Sequence, residues 1–309
     1  MLPQLRGDLF LTDGGIETTL IFHRGLDLPE FAAFPLLEDA EGLEVLRAYY
    51  EPYLRLAGEH GSGFVLESPT WRASPRWGQA LGYDAARLDE LNRRAIGLME
   101  GLRAEHAPVG GDIVISGCIG PHDDGYDPAV TLSAQEAQAY HATQIGTFAD
   151  AGADLVTAMT ITYAEEAIGM TRAAGDSGLP AAVSFTVETD GRLPSGQTLG
   201  DAIVQVDRGA DPPPAYYMVN CAHPTHFEGV LEPGAPWLQR IRGLRANAST
   251  KSHAELDEAA DLDAGDPADL AARYAGLRDR LPALTVLGGC CGTDDRHIAE
   301  IAHAWRAGG

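Results

Sequence analysis

Two short stretches of this chain carry the side chains best suited to chemistry. One is "VNC", ending at Cys221. The other is "LGGCCGT", Leu287 to Thr293, which sets Cys290 beside Cys291. The chain has only four cysteines, and three of them stand in these two stretches. Thiolates suit a borderline-soft cation such as zinc, and three of them leave one tetrahedral position open, the mark of a catalytic rather than a structural site. On the residues alone two other readings stay open. The adjacent pair could be small buried residues at a strand end, since free cysteine is often buried, or it could form a vicinal disulfide. Cys118, in "SGCIGP", reads as a spectator at another strand end.

The elements that must position these side chains follow one repeated theme: a short apolar run, a small or polar terminus, then a longer amphipathic segment. The runs begin at Leu9, Gly63, Ile113, Asp154, Ala181, Tyr216, Leu244 and Leu284. Continuous apolar runs suit strands buried on both faces of a parallel sheet. Between them, "SAQEAQAYHATQIGTFADAGA" opens on Ser133 with Glu136 three residues later, a capping box, and stops at Gly152. Helices are also expected from Asp266 and from Asp294. Eight such units predict an α/β fold, a (β/α)8 TIM barrel forming a single domain over 1–309. An open doubly wound sheet is the alternative, but "TDGGIETT" lacks its Gly-rich phosphate loop.

Barrels of this kind do chemistry at the C-terminal ends of their strands. Asp13, Gly14 and Gly15 end the first run, Glu67 and Thr70 the second, Asn220 and Cys221 the sixth, and Cys290 and Cys291 the eighth. Glycines beside the cysteine pair are expected to clear space for a metal and a substrate. The acidic stretch from Lys251 to Asp269 is expected to lie over one barrel face.

Composition bounds the partners. The 309 residues carry a formal charge of -23, which disfavours nucleic acid and anionic membranes, because both bind largely through Lys and Arg. The N-terminus lacks the pattern of a secretory signal, and no stretch is apolar enough to span a bilayer. The expectation is a cytoplasmic protein with small-molecule partners and an oligomeric state the sequence leaves open.

"TDGGIETTL", "VNCAHP" and "GGCCGT" together resemble the signature blocks of the zinc-dependent homocysteine S-methyltransferases. The resemblance runs over nearly the whole chain, with "ESPTWRAS", "GCIGP" and "NAS" in order between them. It implies a (β/α)8 barrel, a Zn2+ ion held by Cys221, Cys290 and Cys291, and methyl transfer from a sulfonium or ammonium donor to a metal-activated thiol, giving methionine from homocysteine. It also implies that the loop Asp13-Gly14-Gly15 closes over the amino-acid substrate. No corrinoid-binding module accompanies the barrel.

Other residues carry weaker readings. Glu67 is either an amine anchor or a rim acceptor, and Asn220 is expected to orient the neighbouring cysteine. Glu17 suits a helix start. His223 and His226 raise a mixed Cys/His site as an alternative, and Trp71 and Trp77 could wall a cationic donor. One departure from the resembled pattern stands out. Where family members carry a glutamate that grips the amino group of homocysteine, "TAMTITYAEEA" places Met159. Unless Glu67 or Glu165 compensates, the acceptor is expected to be a thiol that lacks an α-amino group or holds it elsewhere. Two further readings stay on the table: a metal or redox protein using the vicinal cysteines, and a barrel hydrolase or aldolase using Asp13 and Glu67.

Overall fold

The computed structural model describes residues 2–107, 111–125, 129–259 and 261–308. All eight apolar runs become parallel strands, and they close in chain order into one barrel, β1 pairing with both β2 and β8. The strands are β1 Phe10–Leu11, β2 Gly63–Glu67, β3 Ile113–Ile119, β4 Leu155–Ile161, β5 Ala181–Phe185, β6 Tyr216–Asn220, β7 Ile241–Ala246 and β8 Val286–Gly289. β7 starts three residues before the expected Leu244. Arg242 and Arg245 interrupt its apolar pattern, which hides the strand from a reading based on hydrophobicity.

Side chains alternate between the faces of a strand. Val65, Val114, Leu155, Ala182, Tyr216, Met218 and Val286 therefore fill the barrel interior. Leu66, Ile115, Val183, Leu244 and Leu287 point outward under the helices, in the larger core. The same alternation carries Glu67, Asn220 and Arg245 to the inward face, two positions beyond Val65, Met218 and Gly243. The barrel is thus apolar below and polar at its C-terminal mouth.

The helix Ala134–Ala151 has its capping box, Ser133 with Glu136, and ends on Gly152 in the left-handed region at φ 93°. Asp266 caps Pro267–Leu277 and Asp294 caps Asp295–Ala307. The connection after β6 holds the short helix Pro224–Phe227 and the 3-10 helices Glu228–Val230 and Pro236–Arg240, so that unit of the barrel has no long covering helix. The acidic stretch folds back over the mouth. Its helix His253–Asp257 is capped by Ser252, and Asp263 is fixed by Ser249 and Lys251. Of the segments expected to be loops, Ala260 and residues 126–128 lie outside the described residues. No described helix is long and apolar enough to cross a membrane.

Candidate metal and substrate site

Cys221 leaves β6 in the left-handed region, at φ 54°. A non-glycine residue takes that conformation at a cost, so something must hold it there. Two donors do: His253 Nε2 at 2.6 Å and Asn247 Nδ2 at 3.0 Å both bond the Cys221 carbonyl. Cys290 leaves β8 with its N–H on the Ala246 carbonyl. The result brings the Sγ atoms of Cys221, Cys290 and Cys291 within 4.8 Å of one another. Among the described residues this is the only cluster of His, Cys, Asp and Glu ligand atoms that could hold a metal ion.

The donor set fits zinc. Cys221 Sγ and Cys291 Sγ are 3.8 Å apart, the spacing of two ligands each about 2.3 Å from a tetrahedral ion. Cys221 Sγ and Cys290 Sγ are closer, at 2.7 Å, and none of the three cysteines is in a disulfide. The contacts from Cys221 and Cys291 hold the Cys290 thiol well below the ordinary thiol range, with Arg245 adding to the effect against burial. Cys290 is thus held toward the thiolate form that a metal requires, while the same contacts and burial push the Cys291 thiol the other way.

Cys118 stands apart from the cluster, and burial holds its thiol protonated. The histidines next to Cys221 also stand apart. His223 Nδ1 meets Thr225 and His226 Nε2 meets the Thr250 carbonyl, which leaves the mixed Cys/His reading without support.

A cavity of about 70 Å³ opens beside the three sulfurs. Asp13, Gly14 and Gly15 wall it, as do Glu17, Glu67, Trp71, Met159 and Arg245. Gly15 is seated on Cys290: a Cβ there would lie 2.5 Å from the Cys290 carbonyl oxygen. Gly288 is pressed on Thr12 in the same way, with a Cβ 1.8 Å from its Oγ1. These glycines therefore let the turn after β1 pack onto β8. The expectation that the glycines preceding the pair clear room for a metal is corrected accordingly.

Asp13 lines the cavity, but its carboxylate is engaged inside the protein. Arg245 Nη2 is 2.8 Å from Oδ1, and the Tyr49 hydroxyl donates to Oδ2 at 2.9 Å. Thr70 is behind the wall, its hydroxyl donating to the Cys118 carbonyl at 2.8 Å. Asn220 is likewise fully buried below the ligands. It accepts from the Thr160 N–H and the Ser184 hydroxyl, donates to Thr160 Oγ1, and sets its Nδ2 3.9 Å from Cys290 Sγ. Thr70 and Asn220 thus shape the cavity from outside its lining. Trp71 faces the cavity and donates its indole N–H to the Met159 carbonyl. Trp77 instead stacks under the Arg72 guanidinium, 3.5 Å from the ring centre. Glu165 bonds Gln205 on the surface and is remote from the cavity lining.

Arg245 escaped the sequence reading. Its signal was an arginine at an inward-facing position two residues beyond a strand glycine, and only the strand's register reveals that orientation. Its guanidinium also donates to the carbonyls of Gly289 and Gly14, tying β7, β8 and the turn after β1 together.

A second cavity, of about 360 Å³, adjoins the first and shares Thr18, Phe31 and Cys291 with it. Its other walls are apolar, from Ile21, Phe22, Leu256 and Leu262, and charged, from Asp124, Asp261, Asp263 and Arg72, with Arg72 3.5 Å from Asp124 and Lys251 3.6 Å from Asp263. The acidic stretch builds one side of it.

Residues 10–305 match the family model described as homocysteine S-methyltransferase. The homocysteine S-methyltransferase of Escherichia coli strain K12 is 24% identical over 321 aligned residues, covering 95% of this chain and 94% of the relative. Among solved structures, the metallated form of the E. coli homocysteine methyltransferase MmuM superposes with a TM-score of 0.72 at 21% identity, covering 96% of each chain. Its oxidized form gives a TM-score of 0.73 at 22% identity, covering 99% of each. At that identity the structural likeness bears on the fold.

Proposed function

This chain belongs to the homocysteine S-methyltransferase family and is a methyltransferase enzyme, and from that premise we propose that it moves a methyl group from a sulfonium or ammonium donor to homocysteine, giving methionine. The observation that carries this reading is the convergence of three cysteine thiols beside a small buried cavity. Cys221, Cys290 and Cys291 would hold Zn2+, which lowers the pKa of a thiol in the open fourth position so that a thiolate exists at neutral pH.

The chain's own residues do the rest. His253 and Asn247 fix the backbone of Cys221, and Asn220 supports Cys290 from below. The turn at Gly14 and Gly15, braced by Arg245, closes the cavity and excludes water from the acceptor. The donor takes the second cavity, which opens beside Cys291 and has Asp261 next to the Arg72–Asp124 and Lys251–Asp263 pairs. The acceptor sulfur then attacks the methyl carbon from the side opposite the leaving sulfur or nitrogen. An S–C bond forms, and the old bond's electron pair leaves with the donor. No side chain is needed as a base, so alignment of the three atoms supplies much of the acceleration. Cysteines outside any disulfide at the centre suit a reducing, cytoplasmic location.

The test is a screen of purified protein against S-methylmethionine, S-adenosylmethionine and betaine with homocysteine, with metal analysis on the same sample. One zinc per chain and methionine production with at least one onium donor are expected. Metal-free protein with full activity would overturn the reading.

A further inference from the structure

Met159 brings no charge to the metal cavity, but two carboxylates reach it. Glu67 ends β2 on the inward face, 4% exposed, and its Oε2 has no hydrogen-bond partner. A buried acceptor atom left unpaired costs stability, so its persistence in a cavity wall calls for a ligand. Glu17 lines the same cavity from the turn after β1, and the hydrogen bond its carboxylate receives comes from its own backbone N–H. The one guanidinium of this cavity, on Arg245, bonds Asp13 and the carbonyls of Gly14 and Gly289 directly and favours the Glu67 carboxylate only through space, without a hydrogen bond to it. Three acids therefore face the cavity against one arginine. Burial pushes Glu67 up to about 7 against the opposing pull of Arg245, and Glu17 up to about 8, so each carboxylate is held neutral more easily here than in water.

We propose that Glu67 and Glu17 form the subsite for the ammonium group of an aminothiol acceptor, in a cavity where Met159 offers it nothing. The proposal rests on the acceptor occupying the cavity beside the three cysteines. Position argues for the acceptor's cation over the donor's. Neither glutamate lines the second cavity, which has acids of its own in Asp124, Asp261 and Asp263. Glu67 instead sits inside the barrel mouth, where the carbon chain of a thiol bound at the cysteines would extend.

The test is calorimetric binding to zinc-loaded protein without donor, comparing homocysteine with 4-mercaptobutyrate, its des-amino analogue. Wild type should bind homocysteine roughly ten- to a hundredfold more tightly, the scale of charge-assisted hydrogen bonds. Glu67→Gln and Glu17→Gln should each erode that preference, and the double variant should abolish it, with 4-mercaptobutyrate affinity little changed. Circular dichroism checks folding, and either single variant suffices should the other fail to fold. Equal binding of the two thiols by wild type, or a preference that survives in the double variant, overturns the proposal. So does a change confined to the Kd of an onium donor, which would assign the carboxylates to the donor's charge. Because the measurement needs no turnover, a protein that binds homocysteine this way yet methylates no thiol would defeat the methyl-transfer reading alone.

Discussion

Arg245 Nη2 stands 2.8 Å from Asp13 Oδ1, with both side chains buried at the mouth of the barrel. The pair joins the end of β7 to the turn that follows β1. Removing one partner from a buried ion pair strands the other, which typically costs about 3–5 kcal/mol. Arg245→Met should therefore lower the unfolding free energy by that order, and Arg245→Met with Asp13→Asn should recover part of the loss. Urea unfolding of the three proteins checks both statements.

Cys291→Ala should lose most of its bound zinc and its methyl-transfer activity, because the two remaining thiolates make a poor site. Chelation of wild type should abolish activity while leaving the far-ultraviolet circular dichroism unchanged, since the barrel has its own apolar core. Loss of the helical signal on chelation would show a structural metal, and a fully active Cys291→Ala with wild-type zinc would remove the assignment.

The contribution of Glu67 and Glu17 to stability should fall as pH rises from 5 to 8, against the opposite contribution of His223, whose burial lowers it to about 4. Glu67 and Glu17 are raised from 4.5 to about 7 and about 8, so the folded state binds protons more tightly than the unfolded chain. Their contribution is fully present below the unfolded value and is lost as pH climbs through the folded ones. Each group adds a slope of at most about 1.36 kcal/mol per pH unit. Glu67→Gln and Glu17→Gln should flatten the profile of unfolding free energy against pH. A difference between wild type and each variant that does not change with pH would contradict this.

Met159→Glu should lower kcat/KM for homocysteine. The cavity already holds Asp13, Glu17 and Glu67, and a fourth acid adds repulsion and a further buried charge. Met159→Leu, which nearly conserves volume, should change the value little. Steady-state kinetics with saturating donor decides it: a gain from Met159→Glu would show that the amino group lacks an anchor in wild type.

Much of this site was legible from the order of the strands. The barrel follows from eight apolar runs, and the meeting of Cys221 with Cys290 and Cys291 follows from the barrel, because strands six and eight end at the same mouth. Arg245 was not legible, since an arginine in an otherwise weak strand reads as a surface residue until the register turns it inward. Glu17 looked like a helix-start carboxylate, and only the fold of the turn brings it to the cavity. Thr70 misled in the opposite direction. It stands close in sequence to the end of β2, but its hydroxyl is committed to the Cys118 carbonyl, a contact from the turn after β2 to β3 that spacing cannot reveal.

The bond from His253 to the Cys221 carbonyl has a mechanical consequence. His253 begins the short helix of the acidic stretch, and that stretch walls the second cavity. Any displacement of this helix that widens the route to Cys291 also withdraws one of the two donors that hold Cys221 in its left-handed posture. The width of the doorway and the set of one sulfur are linked through a single imidazole, so traffic through the mouth is felt at the cysteines.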